Sequence, residues 1–278
     1  MNESKKVSLL VGIFNCADTL AQCIESVLNQ TYTNFELILC DDCSRDDTYE
    51  VAKSYAERDN RIVLIRNKEN IKLGRTLNRC LSVATGEYCA RLDGDDYCAP
   101  DRLEKQVAFL NDHPQFDCVG TYMQIVDGTD TVKIRKVIEF PEIQYLAQSN
   151  PCCHATMMMR TEVLREINGY DVRPETERIE DVDMFWRFYL AGHKAANILE
   201  PLYFVREDPD TYKRRKAKFN ISCAKYRYKA CKKAGLSFRY RLLACMVSLF
   251  IVFLTVDPFD TVIFLALLKL LESEYTIS

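Results

Sequence analysis

The chain has 278 residues, 48% of them hydrophobic and 28% charged, with a formal net charge of −3. Such a length and apolar content allow one large α/β domain with an appendage and exclude a disordered or fibrous chain. The small net charge hides a segregation: Lys213 to Arg241 holds twelve Lys or Arg and no Asp or Glu, which leaves −15 for the remainder. The 13 cysteines are odd in number and scattered, with no secretory leader ahead of them, so reduced thiols in a cytoplasmic setting are expected. Cys40 and Cys43 form a lone C-x-x-C, which does not make a zinc site.

Val7 to Ile13 is a β-rich apolar run and predicts a buried strand. Thr19 to Gln30 predicts a helix, with Thr19 and Gln22 as a capping box and Leu20, Ile24, Val27 and Leu28 on one face. Strands are predicted at Phe35–Cys40, Ile62–Ile65 and Glu87–Leu92. Helices are predicted after Asp46 or Asp47, over Leu73–Ala84, and from Pro100-Asp101 to about Asn111. Two strands follow around Asp127-Gly128, then Asn150-Pro-Cys-Cys-His154, an apolar stretch ending at Met159, and a short helix from Thr161. Glu180-Asp-Val-Asp183 precedes an apolar helix, Met184–Leu190, that carries the single tryptophan, Trp186. Strand–helix alternation with near-continuous apolar strands predicts a mostly parallel sheet flanked by helices.

Ligands of such sheets bind beyond the carboxyl ends of the strands. Phe14-Asn15, Asp41-Asp42 and Asp93-Gly-Asp-Asp96 all fall at those ends. Asp93 and Asp95 alternate in extended chain and so share one side, while Gly94 allows a close approach. Carboxylates gathered in this way need a counter-charge, and a hard divalent ion that also binds phosphates supplies it.

These motifs, in this order, resemble the family 2 glycosyltransferases over about residues 5–205. The resemblance is carried by the strand before Phe14-Asn15, by Glu36-Leu-Ile-Leu-Cys-Asp-Asp-Cys-Ser44, by Arg91-Leu-Asp-Gly-Asp-Asp96 with Pro100-Asp-Arg-Leu103, and by Glu180-Asp181 ahead of Trp186. It implies a GT-A fold, a nucleotide-diphosphate sugar donor, a divalent metal (magnesium or manganese) and inversion at the anomeric carbon. Residue by residue, it assigns Asp42 to the uracil ring, Phe14 to the base pocket and Asp93 to the ribose and metal side. It assigns Asp95 as metal ligand and Asp181 as general base, with Glu180 or Asp183 able to stand in. His154, Glu180 and Trp186 fall on the acceptor side. Two departures stand out. Lys72 replaces a glycine of the family's Asn-x-Gly-Leu run, and Gly12 stands where threonine or proline is common.

The expected organisation is a GT-A domain over 1–211, with a nucleotide-sugar half (1–97) and an acceptor half (98–211), then a basic and apolar helical tail (212–278). In the tail, Leu242–Val256 and Val262–Leu271 are apolar runs divided at Asp257-Pro258, each shorter than a bilayer span. Twelve cations ahead of an apolar run predict peripheral membrane contact at the inner face of the cell membrane. The predicted partners are a nucleotide-sugar donor and a glycan or lipid-linked acceptor in surface-polysaccharide or cell-wall synthesis. A non-catalytic nucleotide-sugar-binding subunit is the alternative, and the full acid set speaks against it. No G-x-G-x-x-G follows the first strand and no nucleic-acid reader motif is present, so a nicotinamide enzyme and a nucleic-acid binder rank low.

Overall fold

The computed structural model describes residues 5–127, 130–206 and 217–255. The 262–271 apolar run, the Asp257-Pro258 break, Gly128 of the predicted turn and residues 212–216 of the basic stretch lie outside the described residues. The chain forms two compact units: Met1–Tyr145 with Asn150–Asp208, and Leu146–Ser149 with Pro209–Ser278.

The first unit is built on a nine-stranded sheet. Strands β1 (Val7–Ile13), β2 (Phe35–Asp41), β3 (Ile62–Arg66) and β4 (Tyr88–Arg91) lie parallel in the order β3-β2-β1-β4. Every residue of β2 is buried, as a strand covered on both faces requires. Helices α1 (Ala17–Leu28), α2 (Thr48–Ala56) and α3 (Leu73–Val83) connect these strands. Beyond β4 the sheet turns mixed. It continues through β8 (Met158–Arg160), β6 (Cys118–Asp127), β9 (Ala195–Arg206) and β5 (Tyr97–Cys98), while β7 (Asp130–Arg135) pairs with β6. Strand β8 runs antiparallel to both β4 and β6, and β9 runs parallel to β6. Helices α4 (Arg102–Asp112), α5 (Thr161–Glu166) and α6 (Glu180–Leu190) complete this unit.

Several boundaries depart from the sequence reading. α1 begins at Ala17, two residues before Thr19, because the α2 loop caps it. Cys16 N–H donates to Thr48 Oγ1 at 2.7 Å and Ala17 N–H to Asp46 Oδ2 at 3.2 Å. Thr19 instead donates its hydroxyl back to the Cys16 carbonyl, so no capping box forms. α6 takes in Glu180–Asp183 as its first turn. Strand β9 was not predicted: Leu199-Glu-Pro201 interrupts its alternation, and its pairing with β6 slips there, from Thr121↔Ile198 to Tyr122↔Pro201.

Gly12 explains its own departure from the family pattern. A Cβ there would stand 3.1 Å from Leu73 Cδ1 and 3.2 Å from Thr76 Cγ2, so α3 seats directly on β1. The second unit contains α7 (Ala217–Lys233) and α8 (Phe238–Thr255). No helix among the described residues is long and apolar enough to cross a membrane.

Candidate active site

Parallel register sets the ends of β2, β1 and β4 side by side, as Ile13↔Asp41 and Leu10↔Arg91 show. The loops that follow form one rim. Asp42 leaves β2 with its side chain buried and accepts three N–H donors. Asn67 Nδ2 (2.7 Å) and Ile71 N (2.8 Å) donate to Oδ1, and Lys72 N (3.0 Å) donates to Oδ2. Asp42 therefore fixes the 70–73 loop that opens α3. Asp41 is fully buried and structural: it pairs with Arg66 at 2.9 Å and accepts the Ser44 N–H.

The acidic loop follows β4. Arg91 is buried, and its guanidinium pairs with Asp93 and donates to the Leu10 and Leu92 carbonyls. Burial works against ionisation of Asp93, but Arg91 outweighs it and holds that carboxyl below the usual range. Asp95 reaches solvent, yet desolvation in the recessed loop, then Asp93, raise its pKa. Asp96 is buried and pushed up to about 8 by burial and by both neighbouring acids. It accepts Tyr203 Oη at 2.8 Å and Arg206 N at 3.0 Å, which ties the loop to β9. Arg206 also donates to the Asp95 carbonyl at 2.8 Å. Gly94 packs inward: a Cβ would lie 2.9 Å from Ile13 Cγ2 and 3.1 Å from Cys16 Sγ. The close approach that Gly94 permits is thus to the end of β1.

A cleft of about 370 Å³ opens beside this rim, within the range of small-ligand sites. Asp42, Asn70, Lys72, Leu73, His154, Glu177, Arg178, Glu180 and Asp181 line it. The expected base-side acid and the expected catalytic acid thus share one cavity. Asp181 sits in the first turn of α6. Its Oδ2 accepts Asn150 Nδ2 at 2.8 Å and its Oδ1 accepts Val182 N at 2.9 Å. Burial raises the Glu180 carboxyl; its own N–H opposes this and the Asp181 charge reinforces it. His154 donates or accepts at Tyr170 Oη across 2.7 Å. Burial and then Arg91 push its pKa down to about 3, so the ring is neutral at working pH. Asp93 acts electrostatically on His154, Cys153 and Tyr170, and Asp181 acts on the latter two, so the acidic loop and the cleft flank the same buried side chains.

Two sequence expectations change. Asp183 cannot stand in for Asp181, because it is buried and paired with Arg187 at 2.6 Å. Trp186 is 1% exposed and belongs to the core, so it presents no surface to an acceptor. Phe14 is 44% exposed beside Asn15 and is not among the residues lining the cleft with Asp42. Tyr203, Arg206 and Asn150 complete the acidic side, and only Asn150 lay in a segment singled out beforehand.

Lys72 has φ 74° and ψ 161°, and Arg178 has φ 69°. A side chain in such a conformation costs about 1–3 kcal/mol and persists only where its surroundings enforce it. For Lys72 the enforcement is visible. Its N–H is held by Asp42, and its carbonyl accepts Thr76 N at 3.0 Å and Thr76 Oγ1 at 2.9 Å.

An acidic loop at the carboxyl edge of the parallel strands, beside a cleft bearing further acids, is the layout of an α/β protein whose ligand binds at the strand ends. Residues 8–167 match the family Glycosyl transferase family 2. EpsE of Bacillus subtilis (strain 168), which bears a glycosyltransferase name, is 47% identical over 237 residues, 85% of either chain. WfaP of Escherichia coli, named a UDP-Glc:α-D-GlcNAc-diphosphoundecaprenol β-1,3-glucosyltransferase, is 34% identical over 56% of this chain and 62% of its own. Among solved structures, S. aureus TarS 1-349 in complex with UDP-GlcNAc superposes with a TM-score of 0.71 at 19% identity, covering 92% of this chain and 77% of that one. The mannosyltransferase PcManGT from Pyrobaculum calidifontis, with GDP-Man and Mn2+, gives 0.64 at 18% identity over 97% and 81%. The chain belongs to glycosyltransferase family 2 and has the GT-A fold.

Proposed function

We propose that this glycosyltransferase moves a sugar from a nucleoside-diphosphate donor, UDP before other nucleotides, to an acceptor hydroxyl with inversion. The observation that carries this reading is the single cleft lined by Asp42 from the end of β2 and Asp181 from the start of α6, beside the acidic loop of β4. The UDP-GlcNAc complex of TarS and the UDP-Glc name of WfaP support the choice of nucleotide.

Asp181 takes the proton of the acceptor hydroxyl. Asn150 and the Val182 N–H orient its two oxygens. Asp42 acts through the loop it anchors, shaping the base end of the cleft. The acidic loop fits a divalent ion shared with phosphates. Asp93 and Asp95 stand in the turn that follows β4, closed by the Asp96 N–H on the Asp93 carbonyl, and burial first, then the neighbouring acids, raises Asp95 and Asp96. Among the described residues no group of three or more His, Cys, Asp or Glu gathers into a protein-only cage. Magnesium and manganese take few carboxylates and keep phosphate ligands. A divalent ion held by Asp95, with Asp93 beside it, would offset the charge that develops on the leaving diphosphate.

The test is a panel of nucleotide sugars with release of nucleoside diphosphate as the readout, with and without Mg²⁺ or Mn²⁺. Asp95→Ala and Asp181→Ala are expected to abolish release while the far-ultraviolet spectrum stays unchanged. Full activity in both would remove the assignment. The acceptor we propose is a glycan or lipid-linked glycan at the inner membrane face, which the basic helix α7 and the apolar sequence of α8 would approach.

A further inference from the structure

The strained backbone at Lys72 has no structural use for a lysine. The conformation is one that glycine adopts without strain, and the resemblance to the family places glycine at this position. The side chain is exposed, lines the cleft, and among the described residues its ammonium enters no ion pair. What holds the residue is its backbone, through Asp42 and Thr76. Arg178, a second side chain on left-handed backbone, lines the same cleft, and its N–H and its charge act on the Glu180 carboxyl. The Asp42 carboxylate holds the Lys72 backbone N–H, and no ion pair joins it to the Lys72 ammonium among the described residues. A compact, donor-only cation on a flexible stem is suited to a phosphate.

We propose that Lys72, with Arg178 on the same cleft, forms an anion subsite for the donor's diphosphate, so that part of its charge is met by the chain and not by a divalent ion. The proposal rests on the nucleotide-sugar reading above. It predicts diphosphate binding that survives chelation of metal. It also predicts opposite signs for two properties of one variant: removing the lysine relieves strain while weakening the ligand.

Calorimetric titration of UDP and of uridine into the full chain tests this, first in EDTA and then with Mn²⁺. Lys72→Gly is expected to bind UDP roughly tenfold more weakly in EDTA, the loss of about one charge-assisted contact, with uridine affinity unchanged. Its melting temperature should rise by a few degrees. Lys72→Met keeps the strained backbone and loses the charge, so it should show the same weakening without the thermal gain. Equal UDP affinity in wild type and both variants overturns the subsite and leaves the nucleotide reading intact. Equal losses for UDP and uridine place the lysine on the base and also overturn it. A wild-type chain that binds neither UDP nor GDP, with or without Mn²⁺, removes the nucleotide reading and the subsite together.

Discussion

Two acids two positions apart, in the same turn of α6, have separate work. Asp181 faces the cleft and is held by Asn150, whereas Asp183 is buried against Arg187, which also donates to the Ile167 and Gly169 carbonyls. Asp181→Asn should therefore lower kcat by about 10²–10⁴-fold with little change in thermal stability, as steady-state kinetics and calorimetry would show. Asp183→Asn should do the reverse, costing about 2–3 kcal/mol in denaturant unfolding while the residual folded enzyme stays active. At this scale the sequence made the acids visible and hid their partners. Asp42, Asp95 and Asp181 stand at predictable strand and helix ends, because carboxylates in apolar surroundings are conspicuous. Asn150, Tyr203 and Arg206 come from distant segments whose own patterns are ordinary. That Arg91 neutralises Asp93 followed only from the packing.

Among the elements, the parallel strands were readable because each is an apolar run covered on both faces. β9 was not, because Glu200 and Pro201 break it, and α1 started early because its caps come from residues 46–48. The amino-terminal ends of the strands carry an equally hidden device. Glu36 at the start of β2 is buried and accepts Ser8 Oγ at 2.6 Å, Thr85 N at 2.7 Å and Lys6 Nζ at 2.9 Å, joining β1, β2 and the turn into β4. Burial alone would raise its pKa, but the Ser8, Lys6 and Thr85 donors prevail and the net shift is downward. A carboxyl lowered in the folded state stabilises above its unfolded value and loses that contribution as pH falls through the folded one. Glu36→Gln should thus cost about 1.5–3 kcal/mol at pH 7, and the gap to wild type should close as chemical denaturation is repeated from pH 5 downward. A constant gap across that range would show that the charge is irrelevant.

On the scale of the whole molecule, charge is divided by region. The acidic rim and cleft lie in the first unit, and the basic sequence from Lys213 to Arg241 belongs to the second. Each cation near an anionic bilayer adds on the order of 1 kcal/mol, and an apolar helix adds burial. Deleting residues 236–278 should shift the enzyme from the membrane pellet to the supernatant after lysis; unchanged partitioning would refute membrane contact. The fold class was legible at this scale, since order and spacing of strand ends carried it. The path of the sheet after β4 was not, because strands as short as β5 and β8 leave almost no periodicity to read.

That path has a practical meaning for anyone who would recombine these enzymes. The neighbour of β4 on the side away from β1 is not the next strand in the chain but β8, about seventy residues later, while β5 lies at the opposite border beside β9. Cutting after residue 97 would strip β4 of a flank and leave Tyr88 and the Arg91 guanidinium facing water along an open hydrogen-bonding edge, an invitation to self-association. Donor recognition in this scaffold is therefore not a detachable cassette: a chimera that exchanges it has to carry Met158–Arg160 along to cover the edge of β4.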